Sequence, residues 1–185
     1  MMLRCLDLCA GLGGASAAMR ERGWHVVTLD NDPRFQCDIT ADLRSWQYAG
    51  PRPDLLWASP PCQEFSRESM PWCKTGDVPY LGLVEAVRRL VMEIQPRYWI
   101  LENVRGAVPY LGQPREIHGP FYLWGYFPPL GRPRLAMKHK ESYSSRQPAE
   151  RAMIPRALSR AVALAVECQP MLMEVHDGQV LTLAH

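Results

Sequence analysis

Residues 58–66 read Ala-Ser-Pro-Pro-Cys-Gln-Glu-Phe-Ser, and a cysteine in that setting is a candidate nucleophile. Pro60 and Pro61 stiffen the backbone just before Cys62, and the apolar run 54–58 ahead of them reads as a buried strand. A thiolate so placed stands at the rim of a sheet, within reach of a ligand. The ordinary alternative is a small buried cysteine. Two further clusters weigh against it: the glycine-rich run from Asp7 to Gly14, and Glu102-Asn103-Val104.

The run Asp7-Leu-Cys-Ala-Gly-Leu-Gly-Gly14 follows a strand-like segment and precedes a helix-like one. Glycines there let a ligand approach the backbone closely, and an acid at the tip of the next strand can hold ribose hydroxyls. Asp30 stands 19 residues beyond Gly11, near the offset that arrangement expects. The glycine spacing is not the dinucleotide fingerprint, and nothing else points to a pyrophosphate. With Asp30 and Asp38 behind the turn, an adenosine-bearing ligand without pyrophosphate fits better, namely S-adenosylmethionine.

These clusters need elements to hold them. Leu3–Leu8 reads as a short buried strand, Ala15–Arg22 as a helix stopped at Gly23, and His25–Leu29 as a second strand. Asp54–Ala58 and Arg97–Leu101 are further strands. Between them Leu81–Ile94 carries apolar residues at 83, 84, 87, 90, 91 and 94, the period of an amphipathic helix. Strands alternating with helices imply parallel pairing by right-handed crossovers, hence a Rossmann-like α/β fold: an open, mostly parallel sheet with helices on both faces. In such sheets ligands collect at the carboxyl ends of the strands, so the polar clusters 7–14, 30–32, 59–63 and 102–104 should meet on one rim.

Beyond residue 105 the pattern loosens. Phe121–Phe127 and Leu135–Met137 are candidate strands, 139–152 reads as loop, and Pro155–Glu167 as a helix with proline in its first turn. Residues 67–80 read as a loop beside Cys62. The expected organisation is a single domain over 1–168 and a tail over 169–185, either a hairpin or without order.

With 185 residues and a net charge of +2, the chain can build a full core and does not announce a polyanion partner by charge alone. From Arg132 to Arg160, however, eight basic residues stand against two acidic ones. That is the footprint of a phosphate-contacting face or of a merely solvated surface. The six cysteines lack the short paired spacings of a zinc site, so no metal is expected and the thiols read as reduced, in a cytoplasm. No apolar run approaches a membrane span.

Taken together, Asp7–Gly14, Ser59–Ser66 and Leu101-Glu-Asn-Val-Arg105 resemble the cytosine-C5 DNA methyltransferases in motif, order and spacing. That family has an Asp-Leu-Phe-x-Gly-x-Gly-Gly cofactor turn, a Pro-Cys-Gln nucleophile turn and a Glu-Asn-Val strand end. The resemblance covers roughly residues 3–105. It implies that Cys9, Ala10, Gly11, Leu12, Gly13 and Gly14 line the methionine and adenosine of S-adenosylmethionine, beside Ser59 and Pro61. Asp30 would bind the ribose, Asn31 would lie against the adenine, and Asp38 with Ile39 would take the adenine amino edge. Cys9 and Asn31 depart from the family, which usually carries an aromatic at the first position and tryptophan at the second; both changes remove stacking surface.

The chemistry of cytosine C5 asks for the remaining residues. That carbon is a poor nucleophile until a thiolate adds at C6, which Cys62 would supply. Electron density then builds at N3, where Glu102 would have to share a proton, a role that burial would favour by raising its pKa. Arg132-Pro-Arg134 resembles the family's Gln-x-Arg-x-Arg segment with Leu130 in place of Gln, so Arg134 would face cytosine O2. Gln63, Ser66, Arg67, Lys74 and Arg132 would contact nucleic acid, around a base flipped out of the duplex. Ala152-Met-Ile-Pro155 resembles the family's closing Asn-x-Val-Pro element without its asparagine.

Family members insert a target-recognition domain before the last helix, where this chain has only residues 135–151. Sequence specificity is therefore expected to be low, very short, or borrowed from a specificity subunit or a second copy in a homodimer. Two other readings stay open: the same chemistry on RNA or a free cytosine nucleotide, and an accessory nucleic-acid-binding subunit of a larger methyltransferase.

Overall fold

Four strands that the sequence marks as apolar runs, β1 (Arg4–Leu8), β2 (His25–Asp30), β4 (Leu55–Ala58) and β5 (Tyr98–Asn103), lie parallel at the centre of one seven-stranded sheet. A two-residue strand β3 (Ile39–Thr40) extends it beyond β2. On the other side β7 (Phe121–Tyr126) pairs antiparallel with β5, and β6 (Glu116–His118) pairs antiparallel with β7. The order is β3-β2-β1-β4-β5-β7-β6. This is a Rossmann-like sheet, mostly parallel, whose winding reverses between β1 and β4. A computed structural model describes residues 2–66, 79–135, 150 and 153–169, and the backbone of 175–176 and 179–180.

Every residue of β4 is buried, as expected of a strand covered on both faces. Leu55 and Trp57 enter one core and Leu56 and Ala58 the other. On the first face lie α1 (Ala17–Glu21) and α4 (Arg156–Glu167), contributing Met19, Leu158, Val162 and Val166. On the second lies α2 (Gly82–Ile94), whose Val84, Val87 and Leu90 pack with Leu6, Leu8 and Leu101. A short α3 (Val108–Leu111) follows β5. Truncating a fully buried leucine such as Leu56 to alanine would cost about 2–5 kcal/mol.

Helix α4 is joined to α1 by polar contacts as well as packing. The Ser159 hydroxyl donates to Ala15 O (2.6 Å) and accepts from Ala18 N (3.1 Å). Glu167 accepts from Arg22 and from Trp24 Nε1 (2.9 Å), while Arg156 pairs with Glu21. At the head of this seam Gly14 meets the segment before α4: a Cβ there would lie 2.5 Å from Met153 Cγ and 2.8 Å from Ile154 O.

Several elements differ from their sequence expectation. The helix expected over 15–22 starts only at Ala17, because the Ser16 hydroxyl is spent on Asp7 Oδ2 (2.6 Å) and the residues before it still belong to the turn. Strands β3 and β6 are too short to leave a pattern. Leu135 is irregular rather than strand, and residues 136–137 lie outside the described residues. So do 67–78, with Arg67 and Lys74, and most of the basic stretch, with 136–149 and 151–152. Within the tail, β8 (Val175–His176) and β9 (Gln179–Val180) form a two-residue antiparallel ladder. Among the described residues no helix is long and apolar enough to cross a membrane.

Candidate active site

The carboxyl ends of β1, β2, β4 and β5 converge on one rim, and hydrogen bonds tie their loops together. Beside the winding reversal, Ser59 N donates to Leu8 O (3.1 Å) and Ala10 N to Leu29 O (3.0 Å). These bonds fix the start of both the glycine turn and the Pro-Pro-Cys turn.

On the β1–β2 side the glycine turn folds onto Asp30. Gly11 N donates to Asp30 Oδ2 (2.9 Å) and Asp32 N to Asp30 Oδ1 (3.0 Å), so both carboxylate oxygens are oriented by backbone amides. Gly11 and Gly13 have φ of +52° and +72°, values a glycine adopts without strain. Cys9 has φ +55°, which a residue with a Cβ adopts only where its surroundings hold it. Burial, reinforced by the charges of Asp30 and Asp7, pushes its thiol up to about 12, so Cys9 is a neutral apolar surface and not a nucleophile. Leu12 is exposed and Gly13 N closes the turn on Ala10 O (2.8 Å). Asp38 Oδ2 accepts from Thr28 N (2.8 Å), Thr28 Oγ1 (2.7 Å) and Arg20 (3.1 Å). Ile39 opens β3 beside Leu29.

Behind this turn lies a cavity of about 260 Å³, walled by Cys9, Asp30 and Asn31 on one side and by Pro61, Gln63 and Val84 on the other. Largely apolar walls, with Asp30, Asp42, Arg44 and Glu64 as the charged lining, suit a purine nucleoside, whose base is flat and whose ribose offers two hydroxyls. The volume lies near the lower end of small-molecule sites, roughly 300 Å³ and upward. Of the expected cofactor residues, Cys9, Asp30, Asn31 and Pro61 form part of these walls. Ala10, Gly11–Gly14, Asp38, Ile39 and Ser59 are not part of these walls: the Asp38 carboxylate is taken up by Thr28 and Arg20, and Gly14 packs on the chain before α4. Ala41, Arg44, Tyr80 and Leu83 also line the cavity and are not among the residues expected there. Leu83 and Val84 fell on the apolar stripe of α2, where a wall residue and a core residue look alike.

On the β4–β5 side, Cys62 opens a 3₁₀ turn, Cys62–Phe65, directly after the two prolines. Asn103, wholly buried, donates from Nδ2 to Pro60 O (3.0 Å) and accepts Val104 N on Oδ1 (2.9 Å), so it braces the turn against β5. Cys62 is half-buried. Burial raises its thiol pKa and the nearby Glu102 charge raises it further, while a hydrogen bond with the Ser66 side chain works the other way. The thiol form is therefore favoured at neutral pH. Glu102 is buried at the end of β5, on the strand next to the cysteine turn. Gln63 joins the cavity wall, linking the two halves.

Arg132 and Arg134 are both exposed. The chain after β7 turns back, so that Leu135 Cδ1 comes 3.9 Å from where a Cβ on Gly119 would lie, in the β6–β7 turn. Since Tyr122 pairs with Asn103, that turn is at the same end of the sheet as Glu102, and Leu135, next to Arg134 in the chain, packs there.

Comparison with known proteins places this arrangement in a family. Residues 3–110, more than half of the chain, match the C-5 cytosine-specific DNA methylases, and the chain belongs to that family. A frog virus 3 (isolate Goorha) protein named "Probable DNA (cytosine-5)-methyltransferase" is 29% identical, over 67% of this chain and 66% of its own. The type II methyltransferase M.XorII of Xanthomonas oryzae pv. oryzae is 31% identical over 55% of this chain and 28% of its own. The chain thus spans less than two thirds of the length of either relative. Among solved structures, S. pombe Dnmt2 methyltransferase overlaps 58% of this chain and 38% of its own, at 20% identity and a TM-score of 0.41.

Proposed function

We propose that this chain transfers a methyl group from S-adenosylmethionine to C5 of cytosine in DNA, in the cytoplasm, with Cys62 as the transient nucleophile. The observation that carries the reading is the juxtaposition on one rim of the braced Pro-Pro-Cys turn, the buried Glu102 and the nucleoside-sized cavity beside Asp30. Family membership supports the reaction class.

Cys9, Asp30, Asn31 and Pro61 would hold the cofactor, which when bound supplies an electrophilic methyl group. The Cys62 thiolate adds to C6 of the cytosine, forming an S–C6 bond and moving the ring's electron pair toward C5. Glu102, desolvated at the strand end, shares a proton with N3 as density builds there. Asn103 keeps the sulfur in place by holding Pro60. Once C5 carries the methyl group, the C5 proton leaves to a base and the S–C6 bond breaks, which expels Cys62 and restores aromaticity. Because Cys62 rests as a thiol, its proton must leave on substrate binding, and Ser66 is its hydrogen-bonding neighbour.

Arg134 and Arg132 would contact the base and the backbone from the β7 side, with Gln63, Ser66, Arg67 and Lys74 around the flipped cytosine. Only residues 135–151 separate the arginine segment from the last helix region. Sequence specificity would then be low or supplied by a partner, either a specificity subunit or a second copy. The same shortness favours a second reading, in which the identical chemistry acts on RNA or a free cytosine nucleotide.

The test is methyl transfer to duplex DNA, tRNA and deoxycytidylate in parallel, followed by 5-fluorocytosine trapping in the preferred substrate. DNA is expected to accept the label, and peptide mapping should locate the trapped base on Cys62. Transfer to RNA or nucleotide alone would replace the DNA reading. A trap on another cysteine would remove the nucleophile assignment.

A further inference from the structure

The cavity beside Asp30 is walled by two rings, and they are differently disposed. Phe65 is 8% exposed and packs its ring on Tyr110 at 6.0 Å between centroids, so it is core. Tyr80 is 57% exposed although it forms part of the cavity wall. Exposed tyrosines ordinarily move between rotamers; this one is held at three points. Its backbone N–H donates to Glu64 Oε2 (2.9 Å), in the turn that follows Cys62. Its hydroxyl is hydrogen-bonded to Arg44, whose guanidinium is itself fixed by Asp42 through Nε (2.9 Å) and Nη2 (2.5 Å). Its ring lies over Gly82, where an added Cβ would collide with the phenol.

A purine needs a flat apolar surface on which to lie, and Cys9 and Asn31 across the cavity offer none. An anchored ring with much of its surface uncovered, bordering a nucleoside-sized cavity, meets that need. We propose that Tyr80 is the platform for the purine of the bound cofactor, positioned by the Asp42–Arg44 pair and by the absence of a side chain at Gly82. The inference rests on the reading that this cavity takes S-adenosylmethionine. It adds a cofactor-binding residue that comes from the start of α2 rather than from the strand-end turns. Because Tyr80 is bonded to Glu64, the platform also ties the cofactor cavity to the turn that carries Cys62.

The experiment is calorimetric titration of S-adenosylhomocysteine into the full chain and three variants, each checked by thermal melting. Tyr80→Ala should weaken binding roughly 10- to 100-fold, the loss expected when an aromatic platform beneath a base is removed. Tyr80→Phe should stay within about threefold of the parent, since the ring remains. Gly82→Ala keeps the tyrosine and improves helix propensity, yet should also lose affinity, because the methyl group displaces the ring. Undiminished binding by Tyr80→Ala overturns the inference while leaving the cofactor reading intact. Equal losses in the Ala and Phe variants overturn it too, because the hydroxyl clasp and not the ring would then matter. A parent chain that fails to bind S-adenosylhomocysteine overturns the cofactor reading itself, and the platform with it.

Discussion

On the β1–β2 side of the rim, the amides of Gly11 and Asp32 close around the Asp30 carboxylate. On the β4–β5 side, two prolines and the buried Asn103 amide hold Cys62. The first half is shaped by charge-assisted hydrogen bonds to a carboxylate that lines the cavity, where a ligand can take over as partner. The second is shaped by ring-locked backbone and a buried bond, which cannot yield without leaving a polar group unpaired. A site that must accept a nucleoside and also hold a sulfur atom in place would need both. The difference implies that cofactor binding and bond making can be separated by mutation.

The largest separation is expected from Cys62→Ser, which should lower methyl transfer by at least about 10³-fold while S-adenosylhomocysteine affinity stays within about twofold. Transfer assays and calorimetry on the same preparation would check both halves of that statement. Asn103→Ala removes the brace and leaves Pro60 O without its buried donor. Transfer should fall on the order of 10²-fold through misplacement of the sulfur, with stability down by about 1–3 kcal/mol in urea melts. Asp30→Ala should act in the opposite sense, weakening S-adenosylhomocysteine by roughly 10-fold, as expected when hydrogen bonds to a charged group are lost. Its rate at saturating cofactor should be close to that of the parent. Equal loss of both quantities in Asp30→Ala and Asn103→Ala would mean that the two halves move as one.

A separate effect, on stability and not on catalysis, concerns Asp7, on β1 below the glycine turn. It is fully buried, Ser16 occupies its Oδ2, and its Oδ1 has no hydrogen-bond partner. Burial pushes its carboxyl up to about 7, against the hydrogen bonds with Ser16. The folded chain therefore holds a proton that the unfolded chain releases near pH 4. Its contribution to stability is complete below that pH and is lost as pH rises through about 7. Asp7→Asn should flatten the fall in stability between pH 5 and 7.5 in denaturant melts; an unchanged slope would place the titration elsewhere.

The sequence made the central sheet legible because β1, β2, β4 and β5 are apolar runs ending in polar clusters, and parallel strands buried on both faces produce that pattern. It did not show that β7 runs antiparallel. That direction depends on the hairpin with β6, whose three residues carry no alternation worth reading. Cys62, Asp30, Glu102 and Asn103 could be named because each stands at a strand end. Tyr80, Arg44 and Ala41 could not, because they reach the cavity from a helix start and an edge loop that meet it only in three dimensions. At Gly14 the missing side chain makes room for Met153 and Ile154, a packing role that the glycine-rich pattern does not show.

The seam between Ser159 and residues 15–18 joins positions 141 apart in sequence at the Ala18 contact. During synthesis, the first helix emerges from the ribosome long before the segment that will cover it. Until that partner arrives, Met19 and Cys5 lack the cover of Leu158, Val162 and Val166. A nascent polypeptide cut before residue 156 should thus be open to proteases around α1, since the Ser159 contacts that close this seam cannot yet form.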